Sequence, residues 1–292
     1  MNTQQPSARG APRVVAATFL TAVAAAVTLL STAPAFAAEP GYFTKYEGMR
    51  MSRDAAGVLL VEMQFKGGPI KFSAREHEQF VDAFYDIGRD RDNKVVILTG
   101  KGGQWMADID FPSFGDVSDP DVWSKVNDEG TQIVENIANI RVPLICAVEG
   151  KAWVHTEYCL LANVIVAGSG ATFHDVPHFA GGIVPGDGIF TAWSYRAGAG
   201  RAEAFLLDPK PISAKTAQDW GVVSEVVADG RATARSFEIA SAYLTKPEVT
   251  RRNTRIHFVQ PLKLALIQQT GYGLSLEGAS ASALVKSLKA PK

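Results

Sequence analysis

Three short apolar runs, each closed by a glycine, constrain this chain more than any other feature: Lys94-Val-Val-Ile-Leu-Thr-Gly100, Pro143-Leu-Ile-Cys-Ala-Val-Glu-Gly150 and Ala162-Asn-Val-Ile-Val-Ala-Gly168. Apolar runs without polar alternation have the form of strands covered on both faces, which requires layers of structure above and below them. Helical patterns supply those layers. Ser73 caps a stretch running through Ile87, with Phe80, Ala83 and Phe84 at helical spacing, and a second helix is expected from about Pro120 to Ile140. Strands alternating with helices argue for parallel βαβ units and an α/β class. Ahead of them, Met49 to Asp54 and Gly57 to Phe65 read as a hairpin around Ala55-Ala56. From Gly188 onward the pattern is mostly helical, interrupted by a strand from Val222 to Val227.

The first residues have a different character. Val14 to Leu30 is an uncharged stretch of 17 residues preceded by Arg9 and Arg13 and followed by Ala35-Phe36-Ala37, a small-x-small cleavage pattern. It is shorter than the roughly 20 residues a spanning helix needs, so residues 1–37 are expected to be a cleaved secretory signal, with an uncleaved membrane anchor as the alternative. That leaves 38–292 as a single domain, with a core of about 46–230 and a helical C-terminal region of about 231–292, secreted or periplasmic. No stable membrane association is expected after cleavage. A formal charge of −1 excludes a basic field for nucleic acid, and 47% hydrophobic residues exclude a disordered chain. Cys146 and Cys159 fit neither a disulfide scaffold nor a zinc motif. They are expected to be free, one in a buried strand and the other in the helix after it. Export also argues against coenzyme A thioesters and nucleotides as substrates, since both are cytoplasmic.

Four stretches carry a resemblance: Asn93 to Gly100, Val142 to Gly150, Ala171-Thr-Phe173 on to Gly182-Ile-Val-Pro-Gly-Asp-Gly188, and Ala214 to Val226. Together they resemble the crotonase (enoyl-CoA hydratase/isomerase) superfamily over nearly the whole chain from Tyr46 on. The resemblance implies a ClpP/crotonase-like spiral of ββα units with a helical C-terminal trimerisation region, hence a homotrimer or a dimer of trimers. Two departures stand out. Where the hydratases carry a Gly-Gly-Gly run before a catalytic Glu, this chain has Gly150-Lys-Ala-Trp-Val-His155-Thr-Glu157, and where a second Glu follows a proline, Pro177 is followed by His178. With Lys45 to Arg50, Asp90 to Gly100 and Ala171 to Gly188, these departures resemble the branch of 6-oxocamphor hydrolase and related β-diketone hydrolases. Carried over position by position, that branch's functional histidines fall on His77, His155 and His178, its aspartate on Asp187 and its late glutamate on Glu277. Phe72 stands where it has a substrate-site tryptophan.

The branch implies a hydrolase that cleaves a carbon–carbon bond in a ketonic substance and releases a keto acid. Such chemistry needs an activated water, donors for the oxyanion and a proton for the departing enolate carbon, and no cofactor or metal. His178 and Asp187 lie nine residues apart across glycine-rich turns, so a loop can bring carboxylate against imidazole to make a base. Pro185 to Gly188 can equally be a turn in which Asp187 caps the next helix. His155 would serve as oxyanion donor, or as a structural side chain. His77 would be a carbonyl contact or proton donor, although Arg75-Glu-His-Glu78 unaided reads as a solvated helix face. Glu277 would be an auxiliary, against a surface acid. Glu157 would be a backbone-bonding relic or a partner to His155. Phe72, Trp105 and Trp153 suggest a pocket for a small apolar diketone-type substrate, with the backbone N–H near Ala107 as a further oxyanion donor. His174 and His178 have H-x-x-x-H spacing, but Pro177 between them argues against a helical metal site. No G-x-S-x-G, Walker or G-x-G-x-x-G motif occurs. The alternatives are a coenzyme A-dependent hydratase/isomerase and a non-catalytic periplasmic binder on the same scaffold.

Overall fold

The computed structural model describes residues 39–208 and 210–289, so the expected signal segment 1–37 lies outside the described residues. The chain opens with the expected hairpin, β1 (Met49–Arg53) and β2 (Val58–Met63), followed by β3 (Lys71–Phe72), α1 (Ala74–Arg89), β4 (Val95–Gly100), β5 (Asp108–Ile109) and α2 (Pro120–Ala138). Then come β6 (Leu144–Val148), β7 (Lys151–Ala152), α3 (Thr156–Leu160), β8 (Val164–Gly168), β9 (Thr172–Phe173), α4 (Ile189–Ala197) and α5 (Ala199–Leu207). The described chain ends with β10 (Ile212–Ser213), α6 (Ala214–Asp219), β11 (Glu225–Val227), α7 (Ala232–Leu244) and the 42-residue α8 (Glu248–Lys289).

The principal sheet has six strands in the order β1-β2-β4-β6-β8-β11, antiparallel only between β1 and β2. Each of β2, β4 and β6 is followed by a two-residue strand and then a helix, which makes the spiral of ββα units that the resemblance implies. The short strands form a second layer, with β3 beside β5 and β9 between β7 and β10, stitched together by a bridge from Met106 to Ala152.

The apolar runs are covered on both faces, as their composition demands. Val95 and Ile97 of β4 and Ile145 and Ala147 of β6 pack with Ala232 and Ala240 of α7, while Val96, Leu98, Leu144, Cys146 and Val148 face the larger core on the other side. Asp119 caps α2 by accepting from the N–H of Asp121, with Pro120 in the first turn. Ser73 does occupy the N-cap of α1, but its hydroxyl binds the Glu76 carboxylate instead of a backbone N–H.

Buried polar contacts dock α8. Arg255, 2% exposed, donates to the carbonyls of Leu161 (2.9 Å) and Ile140 (3.2 Å). Its guanidinium thereby satisfies acceptors just past the ends of α2 and α3 that no helix N–H can reach. Nineteen residues on, the Trp123 indole donates to the carbonyl of Leu274 at 3.1 Å, and a Cβ at Gly278 would lie 2.1 Å from that indole nitrogen. Glycine is therefore required where Trp123 crosses the helix.

The two cysteines are not free. Cys146 and Cys159 form a disulfide with Cα atoms 5.5 Å apart. The expectation of free thiols missed that Cys146 projects from β6 onto the core face against which α3 packs, which brings the residues within bridging range. The bond closes a loop containing His155 and Glu157 and ties both of its ends to buried elements. Replacing both cysteines with alanine should lower the unfolding free energy by about 3 kcal/mol, as expected for a loop of this length. Urea titration of wild type and variant checks this, and a non-reducing intact mass that retains two thiol hydrogens in the wild type would contradict the pairing.

Candidate active site

One cavity of about 400 Å³ is lined by His77, His155, His178, Asp187 and Glu277, which come from α1, the start of α3, the loop after β9, the turn before α4, and α8. The rest of its wall is almost wholly apolar, including Phe111, Phe114, Val126, Ile183, Leu274 and Leu284, and among the described residues no lysine or arginine lines it.

His155 is the N-cap of α3 with φ 46° and ψ 49°, a left-handed conformation that is uncommon for a residue with a Cβ and marks a position held by its surroundings. Those surroundings are explicit. The Trp105 indole donates to the His155 carbonyl at 3.2 Å, the Tyr158 ring stacks parallel at 4.8 Å, and Phe72 packs at 4.2 Å. Nδ1 of His155 lies 2.7 Å from Oε1 of Glu157 and 3.3 Å from Oδ2 of Asp187. Nε2 is left for the cavity.

His178 is oriented by a residue the sequence analysis passed over. Its Nδ1 lies 2.7 Å from Oδ1 of Asp175, whereas Nε2 lies 3.5 Å from Oδ2 of Asp187 and 3.8 Å from Oε1 of Glu277. The expected direct His178–Asp187 hydrogen bond is therefore replaced by a tight His178–Asp175 pair with Asp187 at longer range. The reason is local. Asp175-Val-Pro-His178 is a turn in which the carboxylate three residues earlier reaches Nδ1 directly, and that spacing was the available signal.

The two oxygens of Asp187 meet different partners. Oδ1 accepts from the N–H of Ile189 at the start of α4, while Oδ2 lies between His155 and His178. Glu277 reaches the site because the chain crosses itself at two glycines. A Cβ on Gly186 would lie 2.2 Å from the carbonyl oxygen of Gly273, and one on Gly273 would lie 2.3 Å from that of Gly186. With both side chains missing, the N–H of Gly186 donates to Oε2 of Glu277 at 3.2 Å. His77 is buried and pairs through Nδ1 with Oε2 of Glu129 on α2 at 2.7 Å, so the charged-looking Arg75 to Glu78 sequence does not make its histidine a solvated one.

The expected substrate contacts are corrected. Phe72, Trp105, Ala107 and Trp153 do not line the cavity. Phe72 and Trp105 are fully buried behind His155 and support its ring and backbone. Ala107 lies in a segment fixed to the neighbouring strand, since the carbonyl of Met106 accepts from the N–H groups of Trp153 and Val154. Trp153 donates to Thr172 at 3.0 Å and packs near His174. Glu157, fully buried, is a partner of His155 and not a cavity residue.

Charge is crowded here. Burial opposes charging His155, but Glu157 and Asp187 outweigh it and hold its pKa up at about 9. Burial likewise opposes His178, and Asp187, Asp175 and Glu277 raise it well above the usual imidazole range. Burial, reinforced by Asp187, pushes Glu277 up to about 8, with His178 pulling the other way. Asp187 is held below the ordinary carboxylate range, burial being overcome by His178 and His155. His77 is lowered by burial despite Glu129.

The sequence profile of the enoyl-CoA hydratase/isomerase family matches residues 54–283. The chain belongs to that family. A solved structure of a beta-diketone hydrolase from the cyanobacterium Anabaena, bound to (S)-3-oxocyclohexyl acetic acid, superposes on this crotonase-family chain with a TM-score of 0.83 at 43% identity, covering 85% of this chain and 100% of that one. A probable peroxisomal enoyl-CoA hydratase of Arabidopsis thaliana is 28% identical over 238 residues, 78% of this chain and 83% of its own. The structure of an enoyl-CoA hydratase/isomerase from Mycobacterium paratuberculosis shares the fold, with a TM-score of 0.75 at 22% identity.

The raised proton affinities make stability depend on pH in one direction. His155, with a folded pKa of about 9 against an ordinary 6.5, stabilises fully below pH 6.5 and loses that contribution as pH rises through 9. Glu277, at about 8 against 4.5, stabilises fully below 4.5 and loses its contribution as pH rises through 8. His77, lowered by burial, contributes in the opposite sense only up to about pH 6.5, so the unfolding free energy in metal-free buffer should fall between about pH 7 and pH 9, and the fall should be shallower in Glu277→Gln. Denaturant titrations across that range check it, and a free energy that climbs with pH would be the contrary result.

Proposed function

We propose that this crotonase-family chain is a β-diketone hydrolase that uses water to cleave the carbon–carbon bond between two carbonyls. The observation that carries this reading is the convergence of His155, His178, Asp187 and Glu277 on an otherwise apolar cavity that no lysine or arginine lines among the described residues. Such a pocket suits a small neutral diketone and offers nothing to the phosphates of a coenzyme A thioester. The Anabaena hydrolase, 43% identical, holds a keto acid, the product class that a cyclic β-diketone yields. A coenzyme A-dependent hydratase would need a second acid after Pro177, and His178 stands there.

Asp175 accepts the Nδ1–H of His178, so the neutral ring presents the lone pair of Nε2 to the cavity. Nε2 takes a proton from water as the hydroxide oxygen bonds to one carbonyl carbon. The carbonyl electron pair moves onto oxygen, where Nε2–H of the charged His155 donates to it. Collapse re-forms the carbonyl and breaks the carbon–carbon bond. The electron pair passes into an enolate on the second carbonyl, and the His178 imidazolium returns its proton to the enolate carbon. The balance is one diketone and one water in, one keto acid out. His77 takes a different part from the expected donor. Held neutral by burial, with Nδ1–H donated to Glu129, it offers the cavity an acceptor at Nε2 that suits the enol hydroxyl of a diketone. The buried disulfide agrees with export to an oxidising compartment.

The test is a panel of cyclic 1,3-diketones, following loss of enol absorbance and formation of the keto acid by mass. His178→Ala and Asp187→Asn should each lower kcat by about 10²–10⁴-fold, and equal rates in wild type and variants would sink the reading.

Because only neutral His178 is a base and its neighbours favour the proton, kcat should rise with pH through neutrality. Asp175→Asn removes one of those negative charges, so the rising limb should move to lower pH by about one unit while the plateau falls. A purely structural role for Asp175 would lower activity without moving the limb.

A further inference from the structure

The cavity cluster has the geometry of a metal site as well as that of a base. A tetrahedral ion with ligand bonds of about 2.0–2.2 Å holds its ligand atoms about 3.3–3.6 Å apart. Nε2 of His178 lies 3.5 Å from Oδ2 of Asp187 and 3.8 Å from Oε1 of Glu277, and all three atoms lie within 4.8 Å of one another. The three residues are 3%, 7% and 7% exposed, so their positions are set by packing. Asp187 contributes an independent sign. Its Oδ2 is buried and has no hydrogen-bond partner among the described residues, although it is turned towards His155 and His178 at 3.3 and 3.5 Å.

The surroundings match what a metal-bound histidine requires. Asp175 accepts from the opposite ring nitrogen at 2.7 Å, which fixes the tautomer and increases the basicity of Nε2, the carboxylate–histidine–metal arrangement. Four acids, Glu157, Asp175, Asp187 and Glu277, surround only two imidazoles, His155 and His178. A dipositive ion would take the place of the protons that His178 and Glu277 otherwise hold. The fourth coordination position would open into the cavity, whose wall includes all three ligands.

The neighbouring trio of His155, Glu157 and Asp187 is a poorer site. Nδ1 of His155 and Oε1 of Glu157 are 2.7 Å apart, a hydrogen-bond distance that leaves no room for an ion between them. His174, the other half of the H-x-x-x-H pattern, belongs to neither group among the described residues.

We propose that His178, Asp187 and Glu277 form a binding site for a divalent transition cation of the zinc and cobalt class. One nitrogen and two carboxylate oxygens suit that class. The ion would take Nε2 of His178 out of service as a base, so it would inhibit turnover; this consequence, unlike binding itself, rests on the diketone reading.

Cobalt(II) alone, added to the purified chelator-treated protein and followed by visible absorption, tests binding without any substrate. One equivalent should bind with the intense bands of a four-coordinate ion, and zinc(II) should displace it. Glu277→Gln should weaken binding at least tenfold and Asp175→Asn by about 10–100-fold, with circular dichroism checking that each variant folds. His174→Ala should bind as wild type. No saturable binding, binding unchanged in Glu277→Gln, or binding lost in His174→Ala would each overturn the site. If the diketone panel shows no turnover while cobalt binds as described, the proposed function fails and the metal site stands. If turnover occurs and saturating zinc leaves it unchanged, the inhibitory placement is overturned.

Discussion

The site is governed by the cost of burying carboxylates. Isolated ionised acids in a low-dielectric interior are penalised by several kcal/mol each, yet Glu157, Asp175, Asp187 and Glu277 are all buried around one cavity. Each is tolerated because a donor is fixed against it: His155 for Glu157, His178 for Asp175, the N–H of Ile189 for Asp187 and the N–H of Gly186 for Glu277. Protons or cations must make up the remaining imbalance. The high proton affinities of the histidines and of Glu277 follow from the same constraint, as does the affinity for a metal ion proposed above.

The fold meets this constraint by bringing rigid elements to one place. The β6-to-α3 connection, closed by the Cys146–Cys159 disulfide, carries His155 in a left-handed conformation backed by Phe72, Trp105 and Tyr158. The turn between β9 and α4 carries Asp175, His178 and Asp187. α8, anchored through Arg255 and crossed by Trp123, delivers Glu277 at the contact between Gly186 and Gly273. The walls between these elements are apolar and, among the described residues, carry no lysine or arginine, the feature on which the proposed neutral substrate rests.

Much of this was legible in the chain. The hairpin, the three doubly covered strands, the helices from Ser73 and Pro120 and the helical C-terminal region follow from local periodicity, which acts over a few residues. The residues that line the cavity could be named through the resemblance, but their pairings could not. Asp175 was overlooked beside the more conspicuous Pro-Gly-Asp-Gly turn, although a carboxylate three residues before His178 was a readable signal. Glu129 meets His77 from 52 residues away across the packing of α1 on α2, which no spacing rule reports. The aromatic residues were misassigned for a related reason. Bulky side chains near functional histidines can line a pocket or brace it from behind, and Phe72 and Trp105 brace it.

By itself the sequence determined the alternation of strands and helices, the short-range caps and turns, and the inventory of histidines and acids, because these depend on backbone preference and periodicity over a turn or two. The tertiary structure alone decided which ring nitrogen meets which carboxylate, that Cys146 faces Cys159, and that Glu277 crosses 91 residues of chain to accept from Gly186. Those outcomes turn on ångström-scale distances between elements remote in sequence. Such distances are fixed by how α8 and the turn before α4 pack, and not by any local pattern.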